Sequence, residues 1–584
     1  MFYTLISAVK RFISSAFIGF DPHGFQNNFE FIGYASDRIQ VSIPSRDEFQ
    51  YERYQRTVRH ALRRNLLGYD AEYIISDFHH PIATMDLIVA TLQKGDLPDH
   101  PIPKDAHFQR AFNLAADMFR PPVPVRPVHF ADLRMYKWNW HPNVEEPFYS
   151  DIELIRAVNA AAEAGLLPDA RMSFGNLRNV VFIRARSFLH QIKRNQITNP
   201  GVLWPAMKIH VKPALTKVDE LKVRVIYGVS KLHVLAQCMF FWPLFNHYIN
   251  SDDDPLLWGF ETILGGMQKL HDIMSIPRLH FQTFVTVDWS GFDLRSVFSL
   301  QREVFDVWRT YFDFNNGYIP TKFYRESKAD PQHLENLWEW QREACFKMPF
   351  IMPDRSMYNR RFRCIPSGLF STQFLDSHVN MVMILTILDA LEFDISKSTR
   401  IYVQGDDSVV MLIFHIPADQ HKDFKAKFEV LAKHYFDHVA RSEKTNIHNE
   451  PNGVEVLGYS NYNGYPTRDW RKLLAQLLHP RGALSLETLA ARCCGIAYAS
   501  MYRYPEVINV CRDIYEYLTV RRGIKPGELQ AQRDIILFGE HEFSIPTDHF
   551  PTRDEVTRYL RIPYRRTQAD RDDYWPSSHF MSTH

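Results

Sequence analysis

The stretch IYVQGDDSVVMLIF, residues 401–414, sets Gly405 before two adjacent acids, Asp406 and Asp407. Ile401, Tyr402 and Val403 precede them, and Val409, Val410 and Ile413 follow. Apolar, β-branched runs on both sides of a Gly-Asp pair predict a β-hairpin with a tight turn at its tip. Such a hairpin holds two carboxylates at one exposed point of a buried sheet, an arrangement suited to Mg2+ bound against phosphate oxygens. Alone, the tripeptide fits a solvated turn equally well. The decision between the two rests on what the rest of the chain supplies.

The chain has 584 residues, 45% of them hydrophobic, enough for about two to four subdomains. A formal net charge of +1 excludes a global basic field, so a nucleic-acid surface must be a local groove. The six cysteines (Cys238, Cys345, Cys364, Cys493, Cys494 and Cys511) form no C-x-x-C pair, which argues against a zinc knuckle and fits a reducing compartment. The first twenty residues, MFYTLISAVKRFISSAFIGF, are broken by Lys10 and Arg11. They are too short and polar to span a membrane and lack a basic region ahead of the apolar stretch. An amphipathic helix packed on the body is expected there, with a membrane-surface anchor as the alternative.

Further segments supply partners for the acids. In HFQTFVTVDWSGFDLRS, Phe284 to Val287 read as a buried strand that delivers Asp288, with Asp293 five residues on. After Pro366-Ser367-Gly368 a largely apolar helix runs to about Leu391, with Thr372, Asp376 and Asn380 in a polar line at i, i+4 and i+8. That line either reaches a ribose and base or satisfies neighbouring backbone, and Ser367 and Gly368 read as a flexible polar loop at its start. In ELKVRVIYG, Lys222 and Arg224 alternate with apolar residues, so both point to one face of a strand. Arg through its fork and Lys as a point charge suit a triphosphate; a solvated charged face is the other reading. YERYQRTVRHALRRNLLGY sets Arg53, Arg56, Arg59 and Arg63 at helical spacing. Lys444, in ARSEKTNIH, reads equally as a proton donor to leaving pyrophosphate or as a plain surface-loop lysine. VEVLGYSNYNGYPTRDWRKL reads as a hairpin turning into a helix. Clear strand signals are confined to about residues 281–470, which predicts an α+β chain with a small sheet flanked by large helical regions.

Taken together in chain order, the segments resemble the motifs of viral RNA-dependent RNA polymerases. Lys217-x-Asp219-Glu220-Leu221-Lys222-x-Arg224 looks like motif F, Asp288-x4-Asp293 like motif A, and Ser367-Gly368-x3-Thr372 like motif B. Gly405-Asp406-Asp407 looks like motif C, Lys444 is a candidate for motif D and Leu457-Gly458-Tyr459 for motif E. Ser173-Phe174-Gly175 is a guess at motif G. The resemblance spans about residues 208–470 and is closest to partitivirus polymerases, with picobirnaviruses next. One position departs: many positive-strand virus polymerases carry Asn where Asp376 stands. Ionised Asp accepts but does not donate a hydrogen bond, so which of Asp376 and Asn380 meets the ribose stays open.

The resemblance implies a right hand of fingers, palm and thumb with a small antiparallel palm sheet. Residues 1–280 would form the N-terminal region and fingers (motif F near 208–231) and 281–300 the start of the palm. Residues 301–360 would be a fingers insertion, 361–470 the rest of the palm, and 471–584 the thumb and tail. It implies two Mg2+ ions, with Mn2+ as a substitute, held by Asp288, Asp406 and Asp407. Lys222, Arg224, Asp293, Ser367, Gly368, Thr372, Asp376 and Asn380 would bind the nucleotide. The partners implied are RNA template, nascent RNA, ribonucleoside triphosphates and a viral capsid protein, without a membrane. The place of work implied is the interior of a double-stranded RNA virion in the host cytoplasm. A tail with Tyr564, Tyr574 and Trp575 either fills the cleft or supports primer-independent initiation, with surface packing as the alternative. Two rival readings are a reverse transcriptase-like palm polymerase and a non-catalytic RNA-binding or capsid-associated protein.

Overall fold

The computed structural model describes residues 21–582 apart from 44, 252–253, 278, 327–328, 528–544 and 561–566. The segment 1–20 and Tyr564 lie outside the described residues.

The expected hairpin is present. β9 (Thr399–Gln404) and β10 (Asp407–Leu412) pair antiparallel with Gln404 opposite Asp407, leaving Gly405 and Asp406 as a two-residue turn. Gly405 has φ +63°, the conformation a primed hairpin turn asks of its first residue and glycine takes without a Cβ penalty. β6 (Thr283–Thr286) lies on the other edge of β10, and β11 (Asn446–His448) lies beyond β6, all antiparallel. β6 starts and ends one residue earlier than the sequence pattern suggests, so Asp288 stands just beyond the strand.

Burial of both faces fixes this sheet. Val285, Ile401, Val403, Val410 and Leu412 join one apolar core. Phe284, Tyr402, Val409 and Met411 join the other. Successive strand residues point to opposite faces, so a one-residue slip would exchange the two sets. Each such side chain contributes about 1.5–3 kcal/mol on burial. The first core contains the helices Lys231–Asn250 and Thr372–Ala390. The second gathers Glu48–Asn65, Trp470–Leu478, Leu486–Ala499 and Pro505–Glu516.

Strands are not confined to residues 281–470, a correction to the sequence reading. A five-stranded sheet runs in the order β1 (Phe29–Tyr34), β8 (Ser356–Arg360), β7 (Phe350–Ile351), β3 (Met207–Pro213) and β5 (Val223–Gly228). FEFIGY, SMYNR and MKIHVKP mix polar, charged and turn-forming residues, so their β character comes from pairing partners distant in sequence. β2 (Phe78–His79) pairs with β4 (Thr216–Lys217). As expected, β12 (Glu455–Val456), β13 (Tyr459–Tyr462) and β14 (Tyr465–Thr467) lead into a helix. Among the described residues no helix is long and apolar enough to cross a membrane.

Tyr574 and Trp575 do not fill a cleft. Both are buried, Trp242 donates to the Tyr574 carbonyl at 3.1 Å, and Trp575 packs on Trp242 and Phe580. Nor is the Ser367-Gly368 turn a loose loop. A Cβ on Gly368 would stand 2.0 Å from the Tyr227 carbonyl oxygen of β5. Glycine here lets the turn touch the strand that follows Lys222. Gly368→Ala is therefore expected to cost about 1–3 kcal/mol by overpacking against rigid backbone, read as a lowered thermal midpoint. An unchanged midpoint would contradict the close approach.

Candidate active site

The helix Thr372–Ala390 holds the hairpin tip. Asn380 Nδ2 donates to the Gly405 carbonyl at 3.0 Å, and the Gly405 N–H donates to Ser377 Oγ at 2.8 Å. Trp289 Nε1 donates to Asn380 Oδ1 at 2.9 Å, tying in the segment that follows β6. Ser377 and Asn380 lie three residues apart, so one face of the helix delivers both. Asn380 is fully buried and both ends of its amide are engaged. This corrects the expectation that it reaches a ribose. Thr372 Oγ1 donates to the carbonyls of Pro366 (2.8 Å) and Leu369 (3.1 Å), so it closes the turn rather than facing a nucleotide. Of the polar line, Asp376 alone is left for the site. It is 6% exposed, and its Oδ1 has no hydrogen bond among the described residues. Ser367 is exposed, its Oγ 3.4 Å from the Tyr227 N–H that donates to it.

Five acids gather around this tip. Burial, then the Asp406 charge, raises the Asp293 pKa. Burial, then Asp293 and Asp406, raises that of Asp376 well above the carboxylate range. Burial chiefly raises Asp406, with Asp288 adding to it and Arg224 and Lys222 opposing. Asp407 is pushed up to about 7 by burial, then by Asp406, Glu455 and Asp288. Water reaches Asp406 and Asp407, yet enough protein surrounds them for lost hydration to dominate. Asp407 also borders a cavity of about 430 Å3 shared with Trp258, Phe260, Leu457 and Tyr459. It thus faces partly away from the other acids.

Cations face the acids. Lys222 and Arg224 are exposed side chains at the start of β5. Burial, then Arg224, Arg441 and Lys444, lowers the Lys222 pKa, so the four basic groups share one region. Arg441 and Glu455 escaped the sequence reading. The Arg441 N–H donates to the Asp288 carbonyl at 2.9 Å, and its Nε lies 3.4 Å from Asp288 Oδ2. Arg441 stands in the same quoted stretch as Lys444, but only the pairing of Val439–Arg441 with the chain after Val287 reveals its role. Ser173-Phe174-Gly175 is a buried turn, Phe174 packing on Trp138, Trp140 and Phe182. In the helix Glu48–Asn65, Arg59 pairs with Glu52 and Arg63 with Glu72, leaving Arg53 and Arg56 without an acidic partner among the described residues.

The donor set fits a divalent cation. Asp288 Oδ2 is a buried oxygen without a hydrogen bond among the described residues, and the mutual repulsion of Asp406 and Asp407 is what a divalent charge relieves. Among the described residues no three acidic, histidine or cysteine side chains are placed to hold a metal ion by themselves. Mg2+ does not require one, since it usually keeps several waters and binds one or two carboxylates plus substrate phosphates.

Carboxylates grouped opposite a lysine and an arginine make a centre suited to phosphoryl transfer. The profile of a family described as viral RNA-dependent RNA polymerase matches residues 184–519. An RNA-directed RNA polymerase of White clover cryptic virus 1 is 32% identical over 603 residues, covering 95% of this chain and 96% of the relative. One from Atkinsonella hypoxylon virus is 27% identical over 496 residues, covering 74% and 70% respectively. The chain belongs to the viral RNA-dependent RNA polymerase family. It is an RNA-directed RNA polymerase, a nucleotidyltransferase that binds RNA and nucleotides.

The raised Asp407 pKa sets a pH dependence. Its protonated form is favoured in the fold, so its stabilisation is full below the unfolded value near 4 and is lost as pH rises to about 7. Metal-free protein should lose thermal midpoint over that window relative to Asp407→Asn, and Mg2+ should restore more at pH 7 than at pH 5. Parallel pH curves for the two proteins would refute this.

Proposed function

We propose that the chain is the polymerase of a double-stranded RNA virus, joining ribonucleotides on an RNA template by two-metal catalysis in a right-hand fold of fingers, palm and thumb. The grouping of Asp288, Asp293, Asp376 and Asp406 opposite Lys222 and Arg224 carries this reading. Asp288 and Asp406, with Asp407 beside them, would hold two Mg2+ ions. Bound there, the ions supply Lewis-acid activation of the primer 3′-hydroxyl and charge neutralisation on the pyrophosphate.

The chain's own groups do the rest. Arg224 clamps phosphate oxygens through its fork and Lys222 adds a point charge. Asp293 accepts from the ribose 2′-hydroxyl, where a reverse transcriptase typically sets a bulky aromatic. Asp376 lies beside Asp293, and its raised pKa favours a neutral acid that both donates and accepts, as an amide does. Ser367 remains a nucleotide contact, and Lys444 donates the proton to the leaving group. Arg53 and Arg56 contribute template phosphate contacts. The enzyme would work with a capsid protein, inside the virion in the host cytoplasm, with Mn2+ able to replace Mg2+.

Primer extension on an RNA template with Mg2+ and four ribonucleotides tests the reading. Wild type should extend, and Asp406→Ala should fall by more than about 100-fold; equal rates would reject the assignment of Asp406. For ribose selection, Asp376→Asn should keep most incorporation, while Asp376→Leu should lose about tenfold or more in ribonucleotide over deoxyribonucleotide preference. Equal loss in both would show that Asp376 does not act as a neutral hydrogen-bonding group.

A further inference from the structure

Asp288 already faces a cation that belongs to the chain itself. Arg441 Nε lies 3.4 Å from Asp288 Oδ2, with the two side chains 26% and 40% exposed. The contact is an ion pair that falls short of a hydrogen bond. Charge-assisted arginine–carboxylate bonds close to about 2.7–2.9 Å. Here both facing atoms are buried, and neither makes a hydrogen bond among the described residues. A second contact, from Arg441 Nη2 to the Trp289 carbonyl, is 3.5 Å long, at the outer limit of useful length. Arg441 therefore offsets the Asp288 charge while both partners keep an unspent hydrogen bond.

The backbone beneath this side chain is fixed. The helix His421–Phe436 ends at Asp437, whose carboxylate accepts from Arg363 Nη1 at 3.0 Å and whose carbonyl accepts from Arg295 Nη1 at 3.2 Å. From there the chain runs antiparallel to the segment after β6. The Ser290 N–H donates to the Val439 carbonyl at 2.9 Å, Trp289 pairs with Ala440, and the Arg441 N–H donates to the Asp288 carbonyl at 2.9 Å. The Arg441 carbonyl accepts from the N–H groups of Lys444 and Thr445 at 3.0 and 2.7 Å. Arg441 and Asp288 are thus joined backbone to backbone, and the loosely held guanidinium is the part that can move.

Asp288 cannot serve two cations fully, because two positive groups on one carboxylate repel each other. We propose that Arg441 is a positioning residue of the metal site. It pairs with Asp288 in the metal-free protein and competes with a divalent cation for that carboxylate, which lowers the affinity of the site for the ion alone. The proposal rests on the reading of Asp288 as a metal ligand. A guanidinium keeps its charge throughout the pH range of a folded protein, so the competition is set by the metal concentration and not by pH.

Calorimetric titration of the full chain with Mn2+, without nucleotide or RNA, tests this apart from catalysis. Asp288→Asn identifies the part of the isotherm that belongs to the site. That part should tighten about fivefold in Arg441→Gln and Arg441→Ala. It should stay near the wild-type value in Arg441→Lys, which keeps the charge. The rise in thermal midpoint on adding Mn2+ should likewise be larger in the two neutral variants, and the metal-free midpoint reports whether each variant is folded. Unchanged or weaker Mn2+ binding in the neutral variants overturns the proposal, since a residue that only ties two segments together gives that result. Equal tightening in Arg441→Lys overturns it as well, because charge is then not the cause. If Asp288→Asn binds Mn2+ at the wild-type stoichiometry, the reading of Asp288 as a ligand fails and the proposal with it. If Asp288→Asn loses the ion but the neutral variants bind it no tighter, that reading stands and the role of Arg441 fails.

Discussion

Everything at the hairpin tip answers to the repulsion among closely grouped carboxylates. Asp293, Asp376, Asp406 and Asp407 each have a raised pKa, and in each case burial is the leading cause with another acid adding to it. Such a group is stable only if cations face it or if some members keep their protons. The fold uses both routes. Lys222, Arg224 and Arg441 stand against it, while Asp376, enclosed and without a hydrogen bond at Oδ1, is pushed toward the neutral form. Crowding of this kind disfavours the resting protein and favours any ligand that brings positive charge.

A strained cluster persists only on a rigid mount, and the mount is the two-faced sheet. Because β10 sends alternate side chains into separate apolar cores, the hairpin is clamped from above and below. The helix Thr372–Ala390 then fixes the last degree of freedom. Asn380 and Ser377 bind both polar groups of Gly405, and the same Asn380 holds Trp289 beside Asp288. One buried amide thereby sets the separation between the acids of the hairpin and those that follow β6.

The hairpin, the strand before Asp288 and the helix after Gly368 were legible in the sequence because each carries a local pattern of period two or an unbroken apolar run. The five-stranded sheet was not, since FEFIGY and SMYNR acquire their strand character from each other across some 330 residues, Phe29 opposite Arg360. The same limit applied within the site. Asp288, Asp293, Asp376 and Asp406 could be picked out as acids at the ends or along the face of apolar elements. Asn380 shared that spacing with Asp376 yet serves the turn, because a helix face says which way a residue points but not what waits there. Arg441 is brought in by pairing with the chain after Val287, some 150 residues away, which leaves no periodic trace.

The departure at Asp376 takes on a different meaning in this setting. An aspartate at this position lacks a hydrogen-bond donor only if it is ionised. Burial beside Asp293 and Asp406 makes ionisation costly, and a neutral carboxyl offers one donor and one acceptor, the same pair an amide offers. A neutral Asp376 then offers the hydrogen bonds of an amide while making them dependent on the charge around it. A divalent cation near Asp288 and Asp406 would draw the Asp376 proton away. If Asp376 meets the ribose and a cation sits at Asp288 and Asp406, as proposed, the two would be coupled through a single proton, a coupling that an asparagine would lack.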